Sequence, residues 1–215
     1  MRGKSTRSIA AMTIVKPSWS RTVEMKSWSL GNEFFLIKIL NPARDAGNVT
    51  LKREDEVWNY VRSIERIIKI PPSMMMQSWM GSDFTNDDLV KESSIVNDYT
   101  HELLGDTIID NYQCHIIQLN PKESAAVVWG KIVSYIDKEN YIPLRHLYYD
   151  EDGYLIKGME LSKIKKIGKR QVPLKMVMTP YDEPGNKTII EYSELEFDID
   201  IERSFFSQQN MKRVR

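Results

Sequence analysis

In the stretch KTIIEYSELEFDIDI, residues 187–201, apolar and acidic side chains alternate without a break from Glu194 to Ile201, which leaves that part only one face to bury. Leu195, Phe197, Ile199 and Ile201 fall on one side, and Glu194, Glu196, Asp198 and Asp200 on the other. Successive strand residues point to opposite faces, so the pattern specifies a half-buried antiparallel strand. The same period of two governs the rest of the chain. MTIVKPSWSRTVEMKSW sets Val23 and Met25 against Glu24 and Lys26. EFFLIKIL follows the turn signal Leu30-Gly31-Asn32. VTLKREDEVWNYVRSIERIIKI divides into three short strands, with breaks near residues 53–55 and 62–63. One further strand is expected within residues 106–119, and others in AAVVWGKIVSYID, YIPLRHLYYD, YLIKGMEL and RQVPLKMVMTPYD. DEDGY and DEPGNK read as hairpin connections. About eleven short, closely spaced strands predict a mainly β protein built on one antiparallel sheet, sandwich or barrel.

Helical signal is confined to two places. In residues 71–92, Pro71-Pro72 can start a helix, and Ser82 or Thr85 can cap a second with Asp87 and Asp88 in its first turn. The other is the tail, residues 202–215. The first begins PPSMMMQSWMGSDFTNDDLV, where three consecutive methionines, Trp79 and Met80 run straight into an acidic loop. A strongly bent sheet of this size has a concave face too large for its own side chains to fill. A short helix bearing Met74, Met75, Met76, Trp79 and Met80 suits it as a lid, because methionine adapts to irregular surfaces that must repack.

Several function classes lose support. Thirty basic residues balance thirty acidic ones, and the basic residues are scattered, so a nucleic-acid partner is not expected. The single cysteine, Cys114, excludes a disulfide within the chain and reads as apolar filler in a strand. His101, His115 and His146 show no metal-ligand spacing, and no GxSxG, P-loop or GxGxxG motif occurs. GSDFTNDD lacks the spacing and terminal glutamate of a calcium loop and reads as a helix cap. No nucleophile–base arrangement is readable, so neither an enzyme nor a metal or other cofactor is expected. KIKKIGKR, residues 163–170, is the one basic cluster, read as a solvated hairpin arm or a contact for anionic head groups or an acidic partner. No apolar run is long enough to span a membrane. Four of the five tryptophans are read as strand residues and Trp79 as part of the lid, the supply of aromatic surface an apolar groove needs.

Residues 57–104, VWNYVRSIERIIKIPPSMMMQSWMGSDFTNDDLVKESSIVNDYTHELL, resemble the bacterial outer membrane lipoprotein-sorting protein family, a branch of the LolA/LolB-like superfamily of periplasmic lipoprotein carriers. Weaker similarity extends over the N-terminal MTIVKPSWSRTVEMKSWS and the late YYDEDGYLIKGMEL and FSQQNMKR. The resemblance implies one domain over residues 1–215: an incomplete antiparallel β-barrel with a helical lid at about residues 71–92 and a C-terminal helical tail at about 202–215. It also implies a monomer acting in the Gram-negative periplasm, from a secreted precursor whose signal peptide is not part of this sequence. Its expected partners are lipoprotein acyl chains or another lipid, together with an inner-membrane exporter or outer-membrane receptor.

Acyl chains offer no directional handle, so their affinity must come from buried area, about 0.8 kcal/mol for each CH₂. A lid that occupies the groove in the empty state lowers that affinity, because cargo must displace it. The candidate ligand-binding residues are therefore Trp28, Leu36, Trp58, Tyr60 and Trp129 from the alternating segments, and Met74, Met75, Met76, Trp79, Met80 and Phe84 from the lid. The competing expectation is a soluble docking partner of an inner-membrane exporter that encloses no ligand.

Overall fold

The structure is a computed structural model in which residues 3–91, 94–125 and 127–214 are described. Residue 92 of the expected lid and residue 215 of the expected tail lie outside them. Among the described residues there are thirteen strands. β1 (Ser5–Lys16), β2 (Trp19–Leu30), β3 (Phe34–Asn41), β4 (Val49–Arg53), β5 (Glu56–Val61) and β6 (Arg66–Lys69) precede the Met-rich segment. β7 (Tyr99–Ile109), β8 (Tyr112–Pro121), β9 (Lys131–Asp137), β10 (Pro143–Tyr149), β11 (Leu155–Ile167), β12 (Arg170–Pro180) and β13 (Lys187–Phe197) follow it. They form one open antiparallel sheet in the order β6-β5-β4-β3-β2-β1-β13-β12-β11-β10-β9-β8-β7.

The sheet has two more strands than the hydropathy pattern suggests, and both come from two-residue turns. Pro17-Ser18 splits the first long alternating stretch into β1 and β2. Asp110-Asn111, with φ of 48° and 67°, folds the single strand expected in residues 106–119 into the β7–β8 hairpin. Asp and Asn tolerate the left-handed backbone such a turn requires. The three strands expected between residues 49 and 70 are present as β4, β5 and β6. β13 stops at Phe197, short of the expected strand end, because Asp198 turns left-handed (φ 57°). Its carboxylate accepts from the Lys4 backbone N–H at 2.8 Å. Burial still alternates through Ile199 and Ile201, which pack on the core beneath the tail.

Every neighbouring pair in the sheet order is consecutive in sequence except β1 with β13. The connection from β6 to β7 links the two sheet edges, and it carries the Met-rich segment.

The chain divides into two compact units. Among the described residues, one contains residues 15–17, 94–125 and 127–189; the other contains residues 3–14, 18–91 and 190–214. In the second unit β3 is buried on both faces. Phe34 and Leu36 join Trp28, Val49, Leu51 and Trp58 beneath Phe206, Met211 and Val214 of the tail. Ile37 and Ile39 join Ala10, Met12, Ile14, Val23 and Met25 beneath Trp79. Adjacent strand residues point to opposite faces, so the tail and the Met-rich segment cover opposite faces of the same strands. The tail is one 3-10 turn, Arg203–Phe205, followed by a short helix (Gln208–Met211), whose cap Ser207 accepts from the Asn210 N–H at 3.3 Å. Phe205 meets Trp28 at 5.4 Å between ring centroids, and Phe206 meets Phe34 at 5.7 Å.

In the first unit, Tyr99, Leu119 and Ile132 form one core with Ile95, Ile117, Val127, Trp129 and Tyr148 packed around them. Cys114, Ile142 and Leu144 form another, flanked by Ile109, Tyr112, Tyr135 and Ile164.

Candidate functional site

The Met-rich segment is mostly not helical. A single 3-10 turn, Pro72–Met74, opens it with proline at the first position, as the sequence suggests. Met75 through Met80 then form turns and bends instead of the expected short helix. Two features account for this. The Asn86 side-chain amide donates to the carbonyl oxygens of Met74 (3.0 Å) and Gln77 (3.3 Å). Met80 and Gly81 both take positive φ, 55° and 76°, which breaks a right-handed helix. The loop closes on itself through Trp79 N–H to Phe84 O (2.7 Å), Asp87 N–H to Met75 O (2.8 Å) and a Ser78–Thr85 bridge. Ser82, Asn86 and Asp87 are buried by these contacts.

α1 (Asn86–Lys91) then starts at a reciprocal cap: Thr85 Oγ1 accepts from the Asp88 N–H at 3.1 Å, and the Asp88 carboxylate accepts from the Thr85 N–H at 2.7 Å. Thr85 is thus the cap, and Asp87 and Asp88 of GSDFTNDD lie in the first turn of the helix.

Four contacts seat the segment on the sheet. The Trp79 side chain, 4% exposed, packs on Met12, Ile14, Val23, Met25, Ile37 and Ile39, with Met80 beside it. Its indole N–H donates to Thr50 Oγ1 at 3.3 Å. Arg21, on β2, donates to the Met80 carbonyl oxygen at 2.5 Å while lying 3.8 Å from the Asp45 carboxylate. Met75 packs separately against Val57 and Ile70. Met74 and Met76 are exposed, and Phe84 is half-buried.

The strand candidates lie elsewhere. Trp28, Leu36, Leu51 and Trp58 are direct cross-strand partners and form one row over β2, β3, β4 and β5, with Tyr60 packed against the same cluster. That row faces the C-terminal tail. The opposite row, Ser27, Ile37, Thr50 and Asn59, lies on the side Trp79 occupies. Trp28, Leu36, Trp58 and Tyr60 are therefore gathered together but not beneath Trp79. The residues that are beneath it and were not singled out are Ala10, Met12, Ile14, Ile37 and Ile39; Val23 and Met25 were read only as one face of a strand.

Trp129 belongs to the other unit. It sits in the loop before β9, not on a strand, and meets Tyr148 at 5.3 Å between centroids. The buried Lys157 ammonium lies 4.8 Å from the Trp129 ring and 5.6 Å from that of Tyr148. Nearby in the strand register, Ser134 and His146 are cross-strand partners hydrogen-bonded at 2.8 Å. Among the described residues, no three His, Cys, Asp or Glu side chains gather in a way that could hold a metal ion, and no helix is long and apolar enough to cross a membrane.

A protein-family model described as "uncharacterized protein" matches residues 31–213, and the chain belongs to that family. Among solved structures, a DUF1329 family protein from Desulfovibrio piger is 25% identical with a TM-score of 0.90, covering 97% of this chain and 92% of that one. A putative outer membrane lipoprotein-sorting protein domain from Vibrio parahaemolyticus is 24% identical with a TM-score of 0.88 over the same shares of the two chains. A LolA superfamily protein from Nitrosomonas europaea is 20% identical with a TM-score of 0.81, again covering 97% and 92%. No curated protein matches the chain. The resemblance drawn from residues 57–104 is borne out: the open antiparallel sheet is a LolA-like fold.

Proposed function

We propose that this protein is a non-enzymatic periplasmic carrier that takes up the acyl chains of a lipoprotein or another lipid for sorting towards the outer membrane. The observation that carries the reading is the seating of Trp79. A large aromatic side chain is buried on an apolar sheet face by a segment with little regular structure of its own, held by Arg21 and Thr50. Such a plug can be displaced. The surface it would release, Met12, Ile14, Val23, Met25, Ile37 and Ile39, is continuous and aliphatic, as acyl chains require. The opposite face is unsuited to uptake, since the tail fills it with Phe206 and Met211, both fully buried. Trp28, Leu36, Trp58 and Tyr60 are accordingly structural in this reading, and the binding surface shifts to the Trp79 side. The fold shared with a putative lipoprotein-sorting domain and a LolA superfamily protein supports the same class.

A second reading, a soluble docking partner of an inner-membrane exporter with no enclosed ligand, is favoured by the completeness of the packing under Trp79. Met12 and Ile14 are fully buried there by the protein's own side chains. In the carrier reading this is the closed, empty state.

The experiment is native mass spectrometry of protein purified from a Gram-negative host, followed by organic extraction and lipid analysis, with uptake of fatty-acid and lipopeptide probes in parallel. A bound acyl lipid, weakened by Ile37→Asp beneath the plug and retained in a Met74→Ser/Met76→Ser variant of exposed residues, supports the carrier. A clean protein that takes up no probe supports the docking partner.

A further inference from the structure

The β11–β12 hairpin carries a charge feature that the carrier reading leaves unused. Residues 163–170 hold Lys163, Lys165, Lys166, Lys169 and Arg170 and no carboxylate. The strands stay paired to the tip, with Lys166 opposite Gln171 and Ile167 opposite Arg170, and Gly168 at φ 60° makes the reversal. The four lysines are exposed, and Lys165, Lys166 and Lys169 make no ion pair among the described residues. The base of the tip is anchored, because Ile164 packs on the Cys114, Ile142 and Leu144 core.

A neighbouring turn is tied to the tip. The Gln171 side-chain amide donates to Asn140 Oδ1 at 2.9 Å, and Asn140 donates through its backbone N–H (2.8 Å) and side-chain amide (3.1 Å) to the Asp137 carboxylate. This holds Tyr141, 69% exposed with φ 55°, alongside the basic hairpin. The same turn contributes Glu139, and Lys138, whose ammonium is engaged by Asp106 at 2.6 Å.

The geometry favours a fluid anionic surface over a folded acidic protein. Lys165 and Lys166 are adjacent strand residues and point to opposite sides of the hairpin, so no single rigid carboxylate cluster meets both. Lysine is a point charge on a flexible stem, suited to diffuse attraction, whereas arginine suits fixed bidentate pairing. An exposed tyrosine beside lysines is the composition of membrane–water interfaces. With zero formal net charge on the whole chain, the attraction is local to this tip.

We propose that the β11–β12 tip, with Tyr141 beside it, docks this protein onto an anionic lipid surface. The proposal goes beyond the carrier reading and does not depend on it.

The test is co-sedimentation of the full chain with vesicles of phosphatidylcholine, alone or mixed with phosphatidylglycerol, across a salt series. Binding is expected only to the mixed vesicles. It should fall as salt rises and the screening length shrinks from about 30 Å at 0.01 M to about 8 Å at 0.15 M. The K165Q/K166Q/K169Q variant should bind on the order of a hundredfold more weakly, at about fivefold per lysine, and Tyr141→Ser a few-fold more weakly. The proposal is overturned by equal binding to both vesicle types, by an unchanged triple variant, or by wild-type protein that ignores phosphatidylglycerol yet binds a polyglutamate peptide, which would make the tip a protein-docking surface. Probe uptake measured on the same samples reports on the carrier reading separately.

Discussion

The Trp79 indole N–H donates to Thr50 Oγ1, and the Thr50 hydroxyl in turn donates to Asn59 Oδ1 at 2.7 Å. Thr50 and Asn59 are cross-strand partners on β4 and β5, so this short chain of donors ties the lid segment to the sheet face it covers. Buried polar groups are costly unless paired. The pairing therefore sets where on an otherwise aliphatic surface the tryptophan sits. Thr50→Val is expected to cost about 1 kcal/mol, while Trp79→Ala, which empties the site, costs about 3–5 kcal/mol. Urea denaturation measures both. Hydrogen exchange should show faster exchange at the Trp79 and Asp87 amides in each, and equal protection in wild type and variants would mean the contact does not hold the segment.

Arg21 is the second tie, through its hydrogen bond to the Met80 carbonyl oxygen. Arg21→Met keeps the apolar stem and removes the donor. It should open the segment locally at a cost of about 1.5–3 kcal/mol, the range for hydrogen bonds involving a charged group. Limited proteolysis is the direct readout, with faster cleavage expected within residues 71–88 and little change elsewhere.

The two covered faces should respond differently. Phe206→Ala removes a fully buried ring that the tail places on the sheet, for a global loss of about 3–5 kcal/mol, yet it should leave probe uptake per folded molecule unchanged. Trp79→Ala should alter uptake as well as stability. Loss of uptake in both variants would mean that the binding surface is not confined to the Trp79 side.

Cys114 lies in the core of the first unit with no exposed surface, and burial pushes its thiol pKa up. The nucleophile is the thiolate, so the folded protein should resist thiol reagents at neutral pH. Modification across a urea series should follow the unfolding transition; rapid labelling of native protein would contradict the packing around Ile142 and Leu144.

Asp106 receives the Lys138 ammonium at 2.6 Å and lies 3.1 Å from His115 Nδ1. The Lys138 hydrogen bond, chiefly, holds its carboxyl below the usual carboxylate range, despite some opposing desolvation. A lowered folded-state value means that the carboxylate favours the folded state above its unfolded pKa. That contribution fades as pH falls through the folded value. The effect belongs to the acid limb alone and is small, since the group is solvent-exposed. Lys138→Met should move the Asp106 titration, followed by NMR, back up towards the ordinary range.

Much of this architecture was legible locally. The β4–β6 breaks, the hairpin tags and the Thr85–Asp88 cap each depend on residues a few positions apart, so their chemistry decides the outcome without help from the rest of the chain. The two-residue turns were missed because alternation resumes directly after Pro17-Ser18 and Asp110-Asn111 with almost no loop between; the only local trace is a one-residue change of phase, which puts Met12 and Ile14 on the same face as Val23 and Met25. The helix expected around Met74–Met80 failed for a related reason: Asn86, distant enough to escape a local reading, takes the carbonyl oxygens of Met74 and Gln77.

By itself, the sequence determined that the chain is an antiparallel β protein with a Met-rich interruption, because the period of two and the turn residues act over a few positions. Only the tertiary structure decided what covers each side of the sheet. EFFLIKIL is apolar at nearly every position, so alternation separates Phe34 and Leu36 from Ile37 and Ile39 but assigns neither pair a neighbour. The register aligns Trp28, Leu36, Leu51 and Trp58 into one row and turns it towards the tail. Trp79 is left with the other face. That partition arises from contacts between residues far apart in the chain, where burying apolar area is non-directional and the choice of partner rests on which segments the fold brings together.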